Sequence, residues 1–310
     1  MGAGEGGLTV EAATSEPAVA PRRRRRLRLT TPALLGLPTS WLLVFFLAPI
    51  AIVAAYSVNV LVLAPTPQGF TLSAWRSLFS SSNPYLHLFA KSVEMSLIVS
   101  VVVVLVAYPL AYFLALSGTK RKYILLLILV TPFITSYLLR VLAWKVILGS
   151  NGVINTFLFW LGRSQDHPLS FLLYSRFAVM LVLGYVWLPF VALPIFVSLE
   201  TLDRGLLEAA SDLYASRFQA FLRVTLPLSA PGVVAAFLFV FIPTVGEWIT
   251  PSLVGGTGGY MYGNQIVDLF GTGFPDWQTG SVLALFLLAV IAVVTLVFVR
   301  FLRAGEAQTT

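Results

Sequence analysis

Six stretches of the chain run almost unbroken through apolar residues: 38–61, 93–116, 123–148, 178–199, 227–249 and 280–302. Each has about the 20 residues needed to cross roughly 30 Å of hydrocarbon. The runs are apolar all round rather than striped, and a helix of that kind belongs in lipid, where only a backbone that satisfies its own hydrogen bonds is stable. The polar stretches between them are of three kinds. Residues 1–31 are small and polar, end in "PRRRRRLRL", and predict a disordered basic tail. The gaps after the first, third and fifth runs hold about 25 to 30 residues each, rich in Pro, Gly, Ser and aromatics, and predict loops too small to be domains. The gap at 200–226 is different. It places Leu206, Ala210, Leu213, Phe218, Phe221 and Leu222 at near-helical spacing, with Glu208, Asp212 and Arg217 on other faces, and so predicts an amphipathic helix from Glu208 to Phe221. Helices that lie on lipid carry a Lys/Arg-rich polar face. Two acids in the first turns suit a helix N-terminus and a basic protein groove instead.

Composition agrees with the pattern. Of 310 residues 58% are hydrophobic and 11% charged, with mean hydropathy +0.88, whereas soluble domains carry about 25% charged residues. The excess of 20 Lys+Arg over 13 Asp+Glu suggests a nucleic-acid partner until the positions are read. Fourteen of the basic residues fall on one side of the six runs: Arg22–Arg26, Arg28, Lys120–Lys122, Arg204, Arg217, Arg223, Arg300 and Arg303. Four fall on the other, Arg76, Lys91, Arg163 and Arg176. Basic residues favour the cytoplasmic side, so both termini and the 200–226 loop are expected inside, and the charge excess is mostly topology. The first run, with "IVAAYS" near its end, resembles a cleaved signal, but its length of about 24 residues argues for a retained helix. The chain has no cysteine and two histidines, His87 and His167, which excludes thiolate metal sites and a disulfide framework. No repeat relates the two halves.

The motif Glu208-Ala209-Ala210, followed by Val224 and Leu226-Pro227, resembles the EAA loop of permease subunits in binding-protein-dependent ABC importers of the type I, MetI-like kind. The resemblance covers nearly all of the chain outside its tails. The family usually has Gly where Tyr214 stands, and Gly allows the φ > 0 turn that Tyr adopts reluctantly, so the helix is expected to run further or to bend differently there. Three stretches, "LVTPFITSYLLRVLAWKVILGSNGVIN", "WLPFVALPIFVSLETLD" and "GEWITPSLVGG", resemble the spermidine/putrescine branch, though permeases for iron, sulfate or other solutes share parts of them. The resemblance implies an all-α fold of six spans in the bacterial inner membrane, with a permease domain over 91–302 and a coupling loop at 200–226. It implies that Glu208, Ala209, Ala210, Asp212, Tyr214 and Arg217 couple to an ATPase. It also implies the partners: a sister permease or a second copy, two ATPase subunits and an extracytoplasmic solute-binding protein. ATP and Mg would be bound by the ATPase and no cofactor by this chain, which has no GxxxxGK[ST] loop. "GGTGGYMYGN" at Gly255–Asn264 is Gly-rich without a Lys for phosphate and is read as a flexible external loop.

Ionisable groups within spans cost about 2.5 to 3.5 kcal/mol each to insert, so they face a pore or a partner. Arg140 in the third run and Glu247 in the fifth each lie roughly 25 to 30 Å from the inner side at about 1.5 Å per residue. Two readings stand. They neutralise each other across a helix interface, or Glu247 and Trp248, with Tyr137, Trp144, Tyr185 and Trp187, line a cavity for a cationic amine through charge and cation–π attraction. Lys91 and Glu94, three apart, are expected to form a surface pair, and Pro109, Pro132, Pro189, Pro194 and Pro243 to kink the spans. Two other classes fit less well: a membrane enzyme would need an intramembrane cluster of His, Asp or Glu, and an ion-driven transporter would show broken helices in two related halves.

Overall fold

The computed structural model describes residues 2, 30–60, 69–80, 83–116, 121–162, 168–271 and 275–306. Among them it is helical throughout. The α-helices are α1 (Thr30–Ser57), α2 (Ser73–Leu78), α3 (Tyr85–Leu116), α4 (Lys122–Val130), α5 (Tyr137–Leu148), α6 (Val153–Trp160), α7 (Arg176–Glu200), α8 (Arg204–Asp212), α9 (Arg217–Ala220), α10 (Leu226–Val245), α11 (Tyr262–Gly271) and α12 (Trp277–Glu306). Among the described residues six helical segments are long and apolar enough to cross a membrane. The basic tail expected at 1–31 lies almost wholly outside the described residues. The part of α1 up to Pro49 is a unit of its own, and the second unit, from Ile50 onward, holds the packed core.

The core is a three-helix seam. Val99, Val103, Ala107 and Ala111 of α3 meet Val179, Val182, Leu183, Val186 and Ile195 of α7, and Ala236 and Val240 of α10 close the third side. Small and β-branched side chains dominate because apolar helices gain nothing by hiding from lipid; close backbone approach and dispersion hold them together. The outward faces are apolar too: Leu105 is 66% exposed and Leu296 63%. In water such faces would aggregate, and in lipid they are ordinary. A second cluster, at the end of the bundle that carries the longer loops, joins Leu78 of α2, Tyr262 of α11, and Val282 and Leu283 of α12.

Three expectations are corrected. The apolar run 123–148 is not one helix: α4 stops at Val130, a tight 3₁₀ turn follows at Thr131–Ile134, and α5 starts at Tyr137, with α5 and α6 together giving the spanning length. Pro132 supplies the break, since it has no N–H to give and disfavours helix in the residue before it. The other four span prolines are absorbed inside α3, α7 and α10. Lys91 does not pair with Glu94; its ammonium donates to the Tyr260 carbonyl at 2.9 Å, while Arg176 Nε donates to the Gly258 carbonyl at 3.3 Å.

Those two bonds belong to the third correction, because Gly255–Asn264 is a packed turn and no flexible loop. Gly256 sits at φ +54 beside Tyr174, a conformation that favours glycine. Gly263 lies where a Cβ would come within 2.4 Å of the Gly246 carbonyl oxygen and 2.7 Å of that of Glu247. The Tyr262 amide donates to Ser92 Oγ at 2.8 Å, and Asn264 Nδ2 donates to the Trp248 carbonyl at 2.9 Å. Tyr260 donates to Asp268 at 2.6 Å; burial and that carboxylate raise its pKa above the ordinary phenol range. The glycines therefore serve close packing in a turn whose polar atoms are paired.

Candidate functional site

Two places in the fold carry the residues singled out above. The first is the polar loop after α7. Asp203 caps α8, its Oδ1 accepting from the Gly205 amide at 2.9 Å, and the helix ends at Asp212. The Ala215 amide then donates back to the Ala210 carbonyl at 3.0 Å and the Tyr214 amide to the Ser211 carbonyl at 2.9 Å, with Tyr214 at φ +57. These paired bonds are a Schellman termination, with Tyr in the left-handed position where glycine is usual. Ser216 and Gln219 form a capping box that starts α9, with bonds of 3.3 and 2.9 Å.

The single helix expected from Glu208 to Phe221 is thus two helices around a sharp turn. Tyr214 does not abolish the turn that glycine would make; it takes the left-handed conformation, at a cost of about 1 to 2 kcal/mol. Glu208 and Asp212 lie in the middle and at the end of α8, and the acid at its N-terminus is Asp203. Leu213, Tyr214 and Phe218 are 82%, 96% and 68% exposed, an apolar cap on a polar loop. Glu208, Ala209, Asp212 and Arg217 are exposed as well, and Ala210 is half-buried.

Behind this loop lies a cleft of about 550 Å³ bounded by Tyr112 and Phe113 of α3 and by Arg204, Glu208 and Arg217. Its floor joins the loop to the spans. The Phe221 ring meets Tyr108 and Tyr112 edge-on, each at 5.8 Å, and Tyr108 hydrogen-bonds Ser229 of α10 at 2.8 Å. The chain enters α10 through a wide π-turn at Phe221–Thr225, a form enriched at functional positions. At the same end of the bundle Lys122 pairs with Glu200, and the Tyr123 hydroxyl donates to the same carboxylate at 2.9 Å.

The second place is the break before α5. Glu247 is not inside a helix: α10 ends at Val245, and the Glu247 carboxylate accepts from the amides of Ile249 at 2.9 Å and Thr250 at 3.2 Å, capping the next helical turn. Thr250 Oγ1 is 2.6 Å from the Tyr137 hydroxyl, and the Arg140 Cζ lies 5.9 Å from the Tyr137 ring centroid. Depth counted along unbroken helices does not apply, yet the four residues converge.

Arg140 and Glu247 form no direct ion pair; among the described residues the ion pair formed is Lys122–Glu200. Arg140 is 8% exposed, and its Cζ lies 4.7 Å from the Phe133 ring centroid and 5.9 Å from that of Tyr137. Its buried Nε has no hydrogen-bond partner. Phe133 meets Phe190 edge-on at 3.9 Å, and Phe190 lies 5.6 Å from Trp187 and 5.4 Å from Phe239. Trp187 thereby joins the Arg140 group through rings. Trp144 and Tyr185 form a separate pair at 5.4 Å, and Trp248 is 44% exposed. Phe133, Phe190, Phe239 and Thr250 were not singled out from the sequence; the Pro132 break beside Phe133 was the available signal.

A bundle of apolar helices with an outward-facing capped polar loop at one end and a charged aromatic cluster within defines a multi-span membrane protein. The match of residues 107–306 to the family model "Binding-protein-dependent transport system inner membrane component" fixes the family, to which this chain belongs. It is an inner-membrane multi-pass permease subunit of an ABC importer, a transport component and not an enzyme.

The chain is 36% identical over 234 residues to the spermidine/putrescine transport system permease protein PotB of Escherichia coli (strain K12), covering 76% of this chain and 83% of that protein. To the protein of that name in Haemophilus influenzae it is 35% identical over 267 residues, covering 84% and 90%. The fold matches a chain in the crystal structure of a bacterial alginate ABC transporter in complex with an alginate pentasaccharide-bound periplasmic protein. That match has TM-score 0.61 at 19% identity, with 85% and 90% of the two chains covered.

Proposed function

We propose that this permease subunit forms half of a translocation path for a polyamine, with α8 and α9 as the element that a cytosolic ATPase moves. The observation that carries the coupling reading is the exposed cap of Leu213, Tyr214 and Phe218 on a loop whose helix ends are hydrogen-bonded in place. An apolar cap rimmed by charges is a protein-docking surface. Phe221, wedged against Tyr108 and Tyr112, ties that surface to α3, and through Ser229 to α10.

The cap, Lys122, Arg204 and Arg217 lie at one end of the bundle and Lys91 and Arg176 at the other, which supports a cytoplasmic loop and both termini inside. A sister permease or a second copy supplies the other half of the path, two ATPase subunits bind ATP and Mg, and an extracytoplasmic binding protein delivers the solute. Alternating access follows when closure of the ATPases swings α8 and α9. The path is lined by Glu247, Trp248, Tyr137 and Arg140, with Trp187, Trp144 and Tyr185 beside it. The polyamine assignment draws support from the likeness to spermidine/putrescine permeases and from a carboxylate set among aromatic rings.

The test is purification of the detergent-extracted complex together with uptake measurements on Glu208→Ala/Asp212→Ala. The expected outcome is an ATPase that co-purifies with the unaltered chain and uptake reduced at least tenfold in the double variant. A chain that brings no ATPase, together with unchanged uptake, rejects the reading.

A further inference from the structure

Arg140 is in an uncomfortable place. A buried charge is ordinarily matched by an opposite charge or by hydrogen bonds, since an uncompensated one is strongly destabilising. Here the guanidinium is 8% exposed, forms no ion pair among the described residues, and leaves Nε without an acceptor. What it has instead is rings: Phe133 at 4.7 Å and Tyr137 at 5.9 Å from its Cζ, with Phe190 buttressing Phe133 at 3.9 Å. Both distances fall within the roughly 6 Å over which a ring face attracts a cation. The same Tyr137 reaches Thr250 through its hydroxyl at 2.6 Å, and Thr250 is one hydrogen bond from the Glu247 carboxylate. A cation-binding cage of aromatic walls, with the Glu247 carboxylate joined to its Tyr137 wall through Thr250, is thus filled by a cation of the chain's own.

We propose that the cage formed by Phe133 and Tyr137 is a subsite for an alkylammonium or guanidinium group of the solute, and that Arg140 is its resident stand-in, displaced when the solute arrives. This rests on the polyamine reading above and goes beyond it by naming where one cationic group is recognised and what holds its place. Two things follow from the geometry. An arginine held only by rings is weakly held, so an incoming cation exchanges with it instead of having to empty a hydrated pocket. While it is in place, its positive charge at the Pro132 break opposes inorganic cations, much as fixed arginines bar cations from selective pores.

The experiment measures equilibrium binding of methylguanidinium and of putrescine to the assembled complex, without the external binding protein, for the wild type and for Arg140→Gln, Arg140→Lys and Arg140→Gln/Phe133→Leu. Gln removes the resident cation and leaves the rings. Losing a competitor held by one to two kcal/mol of ring attraction is expected to lower the methylguanidinium Kd roughly tenfold. Arg140→Lys keeps a resident cation and should show less of that gain than Arg140→Gln; an equal gain overturns the proposal. Phe133→Leu added to Arg140→Gln should return the Kd to the wild-type value or above it. A Kd in Arg140→Gln equal to or higher than that of the wild type overturns the proposal, as does a gain that survives Phe133→Leu.

If methylguanidinium binding follows Phe133 as expected but putrescine does not compete, the cage stands and the polyamine assignment falls. Should Arg140→Gln fail to assemble, Arg140→Met, which also removes the resident cation, is compared with Arg140→Met/Phe133→Leu; about tenfold weaker binding of both probes in the double variant supports the cage, and unchanged binding overturns it.

Discussion

Replacing Tyr214 by glycine separates what its backbone costs from what its ring does. The residue stands at φ +57 at the end of α8, where the amides of Tyr214 and Ala215 close the helix on the carbonyls of Ser211 and Ala210. Holding an L-residue there costs about 1 to 2 kcal/mol, and glycine removes that cost. Glycine also frees the unfolded loop, which takes back about 0.4 to 1 kcal/mol. The net gain for the turn is then about 0.5 to 1 kcal/mol, a slowing of roughly two- to fivefold in exchange of the Ala215 amide once intrinsic rates are corrected. Tyr214→Ala keeps the strained backbone and should leave that rate unchanged.

Transport should move the other way. The ring is 96% exposed, and on the coupling reading proposed above it meets the ATPase, so both variants should weaken ATPase co-purification. Hydrogen exchange by mass spectrometry on the reconstituted chain reads the first effect. An Ala215 amide that exchanges as fast in Tyr214→Gly as in the wild type would refute the strain argument.

Glu247→Gln keeps a side-chain oxygen to cap Ile249 and Thr250 and deletes only the charge, so the complex should assemble while polyamine uptake falls; unaltered uptake kinetics would remove Glu247 from the path. Phe221→Ala strips the ring from Tyr108 and Tyr112, two edge-on contacts worth about 0.5 to 1.5 kcal/mol each, and should leave ATP hydrolysis intact while reducing the uptake coupled to it, read by measuring both in proteoliposomes. Gly263→Ala places a methyl 2.4 Å from the Gly246 carbonyl oxygen; with backbone on both sides unable to yield, the midpoint of thermal unfolding should fall by several degrees, whereas Gly271→Ala, which meets nothing within 4 Å, should not lower it.

Hydrophobic pattern alone determined that the chain is a helical bundle in lipid, because twenty apolar residues leave the backbone no other way to satisfy itself. The EAA motif pointed to the family, and through it to the polar loop as the expected place of coupling, since spacing along the chain survives whatever the loop does in space. The tertiary structure decided the rest. That Tyr214 bends the loop instead of prolonging its helix depends on capping bonds from Ser216 and Gln219 and on two back-bonded amides, whose combined strength a propensity for one residue does not contain.

That Glu247 is a cap and Arg140 a cation held by rings depends on where α10 stops and α5 restarts. A hydropathy window averages across both breaks and reads them as continuous helix. The glycine-rich turn misled for the same reason: glycine marks freedom in an open chain and close approach in a packed one, and only the neighbours brought by the fold, Tyr174 and the carbonyls of Gly246 and Glu247, decide which.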